Sequence, residues 1–242
     1  MKGLFSAIGF LSVLPARRDG VFDPGPMIAW FPVVGLILGA ILAIFDHVAL
    51  SLWPASVAAV LDVALLAVLT GALHLDGLGD TADGIFSHRP REVALAIMKD
   101  SRVGAMGLIA VILGLALKWG GLASVGAHRA AVICLVPAFA RASMMLAIRF
   151  LPYGRPEGGT GRDFFGAPLK WRAFWALLLT VALALGLGTT GLRLILGFAA
   201  VTGGLILFYR LKMGCVTGDM LGAMTEVNEA ALFLLAAAGA NT

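Results

Sequence analysis

Seven apolar segments, separated by shorter polar ones, set the pattern of this chain. Several of them reach the ~20 residues that a helix needs to cross the ~30 Å hydrocarbon core of a bilayer. The last one reaches that length only if its helix begins near Asp219. We therefore predict an all-α, polytopic membrane bundle of about seven transmembrane helices, at approximately residues 27–50, 55–75, 104–119, 128–150, 173–187, 192–209 and 219–240.

A shorter apolar segment precedes these seven. Residues 3–14 are too few to span a bilayer, and Pro15, Arg17 and Arg18 follow them. The segment lacks the small-residue cleavage site of a signal peptide. We predict a short N-terminal helix that either lies in the cytoplasmic interface or is half-buried in the bundle.

Composition supports a membrane protein over a soluble one. Of the 242 residues, 60% are hydrophobic and 13% are charged, whereas soluble domains carry about 25% charged residues. We expect one membrane-embedded catalytic domain over residues 1–242, with the lipid bilayer as a partner and no nucleic acid. The two cysteines form no disulfide or zinc pattern. The sequence leaves open whether the chain forms a homo-oligomer.

Basic residues indicate which side faces the cytoplasm, because cytoplasmic loops of membrane proteins are enriched in Lys and Arg. With seven spans and the N-terminus inside, 14 of the 18 basic residues fall on or near the cytoplasmic side: Lys2, Arg17, Arg18, Arg89, Arg91, Lys99, Arg102, Arg149, Arg155, Arg162, Lys170, Arg172, Arg210 and Lys212. Lys118, Arg129 and Arg193 fall outside, and Arg141 falls within the bilayer. We predict a multi-pass protein of the inner cell membrane whose active site faces the cytoplasm.

Three aspartates directly follow the second apolar segment: Asp76, Asp80 and Asp83. On a helix they fall within an arc of roughly 60°, since successive residues turn by about 100°. Acids in this position are costly unless they bind something, and Mg²⁺ is commonly held by a few carboxylates plus substrate phosphates. We predict a divalent-metal site here. His74 falls on the other side of the helix and is interpreted as a packing or supporting residue.

A second acidic stretch, Asp219, Glu226 and Glu229, falls within an arc of roughly 80° at the last span. Glutamates at that depth are hard to insert without compensation. We predict that Asp219 and Glu226 share the metal with the first three aspartates. The alternative is a water-filled cavity in which Arg141 supplies the counter-charge. Arg141 itself has two open interpretations, a structural ion pair and a contact to substrate, and Asp62 is either paired in the bundle or near the far interface.

Two other functional classes compete with a metal-dependent enzyme. Intramembrane acids plus an arginine are also typical of a cation-coupled transporter, but the acids cluster at one membrane face and no inverted repeat is evident. A purely structural membrane subunit would leave the acidic clusters without a role.

Four motifs together resemble the cobalamin synthase family. They are HLDGLGDTADG at 74–84, MKDSRVGAMG at 98–107, PYGRPEGGTGR at 152–162 and TGDMLGAMTEVNEAALFL at 217–234. Members of this family are adenosylcobinamide-GDP ribazoletransferases. A more distant likeness is to membrane CDP-alcohol phosphotransferases, the alternative within enzymes.

The resemblance implies a late step of cobalamin (vitamin B12) biosynthesis. The enzyme would join adenosylcobinamide-GDP to α-ribazole, or to its 5′-phosphate, and release GMP by Mg²⁺-assisted phosphoryl transfer. The expected metal ligands are Asp76, Asp80, Asp83, Asp219 and Glu226. The expected catalytic residues are Asp76, Asp80, Asp83, Lys99 and Arg102. The expected substrate-binding residues are Gly77, Gly84, Arg141, Arg155 and Arg162.

Overall fold

The computed structural model describes residues 2–16, 24–155, 157–158, 161–166 and 169–238. Within these residues the chain is helical, and its ordered elements follow in sequence: α1 Lys2–Leu11, α2 Pro24–Ile28, α3 Phe31–Leu52, α4 Ala55–Leu69, α5 Leu73–Ile85, α6 Arg91–Ile97, α7 Ala105–Ala123, α8 Arg129–Phe150, two 3₁₀ turns at Arg162–Phe165 and Trp171–Phe174, α9 Trp175–Leu185, α10 Thr189–Lys212 and α11 Gly218–Ala237. The predicted all-α class is confirmed.

Five helices are long and apolar enough to cross a membrane, namely α3, α7, α8, α10 and α11. The predicted second span is not one helix, because α4 and α5 meet at an angle of 89°. Gly71 and Ala72, between them, both have positive φ angles, which no right-handed helix contains. Counting this bent pair as one crossing gives six candidate spans by length and composition, and the shorter apolar segment Trp171–Leu185 follows at the position of the predicted fifth span.

Helix α8 forms the centre of the bundle, and most of its side chains are buried. Its main neighbour is α3, which carries Gly35 and Gly39 at the four-residue spacing typical of close helix packing. A Cβ atom on Gly39 would lie 2.6 Å from the backbone of Cys134 in α8. The two backbones therefore touch at these glycines, as small residues allow in membrane helix pairs.

The N-terminal helix α1 is half-buried, which selects one of its two predicted placements. Ala7 and Leu11 have no exposed surface, and Phe10 packs against the rings of Phe31 and Phe164. The Val13 amide donates a hydrogen bond to the Leu69 carbonyl, which holds α1 beside the end of α4. Arg17 and Arg18 lie outside the described residues.

Loop segments join the end of α8 to the start of α11. The Gly154 amide donates to the Val216 carbonyl and the Val216 amide donates to the Pro152 carbonyl, both at 2.9 Å. These hydrogen bonds hold the loop that follows α8 beside the start of the second acidic stretch.

Candidate active site

Helices α5 and α11 cross with their backbones in contact. A Cβ atom on Gly77 would lie 2.7 Å from the carbonyl oxygen of Asp219, and one on Gly222 would lie 3.3–3.4 Å from the Cα atoms of His74 and Gly77. No larger side chain fits at Gly77, since real Cβ atoms do not approach a backbone oxygen so closely. This close crossing brings together two acidic stretches that are far apart in sequence.

The carboxylates of Asp76, Asp80 and Asp219 form one group, which we call the carboxylate cluster. Asp80 experiences like-charge repulsion from Asp76 and Asp219, and also from Asp83. Asp76 is exposed, while Asp80 and Asp219 are half-buried. The Nη2 atom of Arg155 lies 2.8 Å from Asp219 Oδ2. Within the described part of the chain, neither the Asp76 carboxylate nor the Asp80 carboxylate has a hydrogen-bond or ion-pair partner.

The side chain of Asp83 is engaged by the backbone. Its Oδ2 accepts a hydrogen bond from the Gly104 amide at 2.7 Å, and its Oδ1 accepts one from the Gly107 amide at 2.8 Å. These amides belong to the first turn of α7, where helix N–H groups lack intrahelical partners and the helix dipole favours a negative charge. Asp83 therefore caps α7 from a different helix and fixes α5 against it.

Glu226 does not join the aspartates. It is buried within the bundle, with its carboxylate 2.6 Å from the ammonium group of Lys118. Glu229, one turn further along α11, contacts both Lys118 and Arg141. We call these four residues the interior ion-pair cluster: two cations face two carboxylates. The carboxylate of Glu226 is thus engaged in charge pairing, which accounts for its depth without a water-filled cavity, and its expected metal role stays a prediction.

The placement of Arg141 favours the structural one of its two predicted roles. It has no exposed surface and pairs with Glu229, so it is enclosed by the bundle. His74 is buried as well, on the side of α5 away from the carboxylate cluster, and lies within electrostatic range of Arg141 and Glu229. These electrostatic neighbours agree with the interpretation of His74 as a packing or supporting residue.

The other predicted basic residues are placed differently from one another. Arg155 contacts the carboxylate cluster, whereas Lys99 pairs with Glu157 at 3.4 Å. Arg102 is largely exposed and binds Asp100, and its hydrogen bonds lower the pKa of the Asp100 carboxyl to about 2. Arg162 is exposed in a 3₁₀ turn.

The predicted glycines pack helices together. Gly77 allows α11 to pack closely against α5, as described above, and Gly84 allows α6 to do the same. A Cβ atom on Gly84 would lie 2.5 Å from Met98 Cγ and 2.8 Å from the Ala94 carbonyl oxygen. Both glycines are buried and position the acidic helix, and their expected substrate-binding role stays a prediction.

The donor set of the carboxylate cluster fits Mg²⁺. Within the described residues, no three His, Cys, Asp or Glu side chains form a ready-made metal cage. Mg²⁺ does not need one, because it is usually bound through one or two carboxylates plus substrate phosphates and water. Asp76 and Asp80 offer unpaired hard oxygen atoms, and Asp219 contributes a carboxylate whose second oxygen is not paired with Arg155. Asp83 and Glu226 are already engaged by the α7 amides and by Lys118.

Sequence reasoning missed Lys118, which it placed outside the membrane. Helix α7 continues to Ala123, four residues beyond the predicted end, and this extension places Lys118 inside the bundle. The available signal was its position within an apolar stretch. Asp62 is also paired: it is fully buried and lies 3.5 Å from Arg129, which contacts Asp46 at 2.7 Å.

Comparison with known proteins identifies relatives along nearly the whole chain. The sequence model of a family described as cobalamin-5-phosphate synthase matches residues 3–237. A protein of Acetivibrio thermocellus named adenosylcobinamide-GDP ribazoletransferase is 34% identical, covering 97% of this chain and 97% of its own. Proteins with the same name from Chlorobium chlorochromatii and Syntrophobacter fumaroxidans are each 38% identical, over 98% and 96% of this chain and 96% of their own lengths. No solved structure matches the chain.

Proposed function

The chain belongs to the cobalamin-5-phosphate synthase family, and we propose that it transfers the cobinamide phosphate of adenosylcobinamide-GDP to α-ribazole or its 5′-phosphate. The products are adenosylcobalamin, or its 5′-phosphate, and GMP. The observation that carries this proposal beyond family membership is the approach of Asp219 to Asp76 and Asp80 across the α5–α11 crossing. That approach builds a site of unpaired oxygen ligands suited to a pyrophosphate-bound cation.

The reaction is an in-line displacement at phosphorus. A ribose hydroxyl of α-ribazole attacks the cobinamide-side phosphorus of the pyrophosphate and forms the new P–O bond. The bond from that phosphorus to the bridging oxygen breaks, and the bridging oxygen leaves with GMP. A carboxylate of the cluster accepts the proton of the attacking hydroxyl.

The residues of the carboxylate cluster and its neighbours would have separate roles in metal binding, phosphate binding and helix positioning. Asp76, Asp80 and Asp219 would hold Mg²⁺, which would supply positive charge to stabilise the leaving group. Arg155, beside Asp219, is placed to donate hydrogen bonds to phosphate. Asp83 keeps α5 in register with α7 through the Gly104 and Gly107 amides. Lys99 and Arg102 lie on the exposed segment between α6 and α7 and would reach substrate only by leaving Glu157 and Asp100.

We place the carboxylate cluster on the cytoplasmic side of the inner membrane. The turn after α10 and the loop after α8, with their basic residues, lie at the same end of the bundle as the start of α11. Cysteines introduced at 84–99 should then react with an impermeant reagent from the cytoplasmic side only. Cysteines at 120–127 should react from the other side only, and the reverse pattern would refute this orientation.

A single assay tests the proposed reaction. Purified protein in detergent is incubated with adenosylcobinamide-GDP, α-ribazole and MgCl₂, and the release of GMP is followed together with formation of the joined corrinoid. We expect both products in equal amounts, with turnover lost in excess EDTA and restored by added Mg²⁺. Absence of GMP release from folded protein would contradict the transferase proposal. Turnover unchanged in EDTA would contradict the magnesium part alone.

A further inference from the structure

A polar cavity lies next to the carboxylate cluster, between α6 and the loop that follows α8. Its volume is about 500 Å³, within the range of about 300–1,000 Å³ that is usual for small-molecule sites. Three basic side chains line it: Arg91, Lys99 and Arg155. Arg91 has no place in the proposed reaction so far.

Arg155 connects this cavity to the carboxylate cluster. Its side chain lines the cavity while its Nη2 atom lies 2.8 Å from Asp219. The residue is 7% exposed, yet its Nε atom has no hydrogen-bond partner among the described residues. A buried guanidinium with an unused donor is unusual, because buried polar groups are nearly always satisfied. An anion in the cavity would satisfy it.

Arg91 is an exposed residue that lies beside the turn between α10 and α11. Its Nη1 atom would lie 3.8 Å from a Cβ atom on Gly214, whose φ angle of +64° favours glycine. Glu92 and Glu157 also line the cavity, so its charge is not uniformly positive. Glu157 pairs with Lys99 at 3.4 Å, and both side chains are more than half exposed. Such an exposed pair is worth little and is readily exchanged for a stronger anion.

We infer that this cavity binds a phosphate monoester, and specifically the 5′-phosphate of the acceptor, with Arg91 as a specificity-determining residue. The inference rests on the proposed function. The pyrophosphate of the corrinoid substrate reacts at the carboxylate cluster. A phosphate bound in the cavity, on the other side of Arg155, therefore belongs to another group of the substrates or products. The 5′-phosphate of α-ribazole phosphate is separated from the attacking hydroxyl by the ribose, which suits a neighbouring cavity. Arginine forks match the oxygens of such a dianion.

The phosphate of GMP shares this chemistry and is the competing occupant. The two are distinguished by kinetics with α-ribazole and with α-ribazole 5′-phosphate as acceptors, and by product inhibition with GMP. The test variant is Arg91→Gln, with Arg91→Lys as its conservative partner. Arg89→Gln is the matched control, because Arg89 is an exposed arginine two residues away that does not line the cavity.

We expect Arg91→Gln to lower kcat/KM for the phosphorylated acceptor about 10-fold or more, mainly through KM, since it removes hydrogen bonds to a charged group. The loss with unphosphorylated α-ribazole should be at least several-fold smaller, Arg91→Lys should recover part of the difference, and Arg89→Gln should leave the ratio unchanged. Equal losses with both acceptors, or no loss, would overturn the inference. Weakened GMP inhibition with an unaltered acceptor ratio would assign the cavity to GMP instead. Wild-type turnover of α-ribazole tests the proposed function separately, because the inference depends only on the ratio between acceptors.

Discussion

Helix α11 carries carboxylates at two depths, and the protein treats them in opposite ways. Near its start, Asp219 meets Asp76 and Asp80, and Arg155 is the one cation that contacts them among the described residues. Two turns further along, Glu226 and Glu229 meet an equal number of cations. The first group retains a net negative charge, and the second group is neutral as a whole.

This difference separates a binding site from a structural element. Removing charges from water is expensive, so the bundle interior tolerates Glu226 and Glu229 only because Lys118 and Arg141 compensate them. The carboxylate cluster is partly exposed, so solvent can stabilise it until a cation binds. The absence of an internal partner at Asp76 and Asp80, rather than the presence of acids as such, is what indicates ligand binding.

The largest effect should come from breaking the interior ion-pair cluster. Glu229→Gln keeps the shape of the side chain but leaves Lys118 and Arg141 with one carboxylate between them. Removing one partner of a buried ion pair costs roughly 3–5 kcal/mol. We expect a clear drop in the thermal unfolding temperature of the protein in detergent.

The control for this prediction is Glu157→Gln, which removes an exposed carboxylate and should leave the unfolding temperature nearly unchanged. Combining Glu229→Gln with Arg141→Gln restores the charge balance. The double variant should therefore lose less stability than the two single variants added together. Simple additivity would show that the ion pair does not couple these residues.

Asp80→Asn should have a smaller effect in free-energy terms, and it should change catalytic turnover without reducing stability. It removes a ligand charge from the carboxylate cluster, and we expect turnover to fall at least about 100-fold, the scale of losing a main electrostatic stabiliser. The unfolding temperature should stay the same or rise, because like-charge repulsion within the cluster is relieved. Asp163→Asn, at an exposed aspartate in a 3₁₀ turn, is the control. Undiminished turnover in Asp80→Asn would exclude the metal role of this residue.

The smallest effect should come from the contact that assembles the carboxylate cluster. Gly77→Ala would place a methyl group 2.7 Å from the Asp219 carbonyl oxygen, and the backbones of α5 and α11 would have to separate. Overpacking of this kind costs about 1–3 kcal/mol. We expect reduced turnover together with a modest loss of stability. Gly120→Ala in α7 meets nothing within 4 Å and should be harmless; similar behaviour of the two variants would contradict a role for the close crossing.

Much of the architecture could be predicted because lipid imposes simple rules on sequence. Apolar length located α3, α8, α10 and, through its start near Asp219, α11. The four-residue spacing of the glycines at 35 and 39 is typical of a close helix contact, and the structure shows that contact. The motifs predicted the family, which the comparison with relatives confirms. The individual roles of the site residues stay predictions.

Two features escaped hydropathy for physical reasons. The break between α4 and α5 lies within a continuous apolar segment, and average hydropathy does not register two residues with positive φ. Average hydropathy also does not detect ion pairs inside the bundle, because Lys118 and Glu229 lie on different helices far apart in sequence. An isolated lysine within an apolar segment and two glutamates within another are complementary signals, and matching them would have revealed the interior ion-pair cluster.

The modest lengths of α4 and of the segment that ends in α9 bear on the surrounding lipid. Each comprises 15 residues, from Ala55 to Leu69 and from Trp171 to Leu185. At about 1.5 Å per residue they reach roughly 22 Å, which is less than the ~30 Å of an average hydrocarbon core. Short apolar segments of this kind are accommodated by local thinning of the bilayer. Reconstitution into lipids of graded chain length should give the most stable protein in the thinner bilayers.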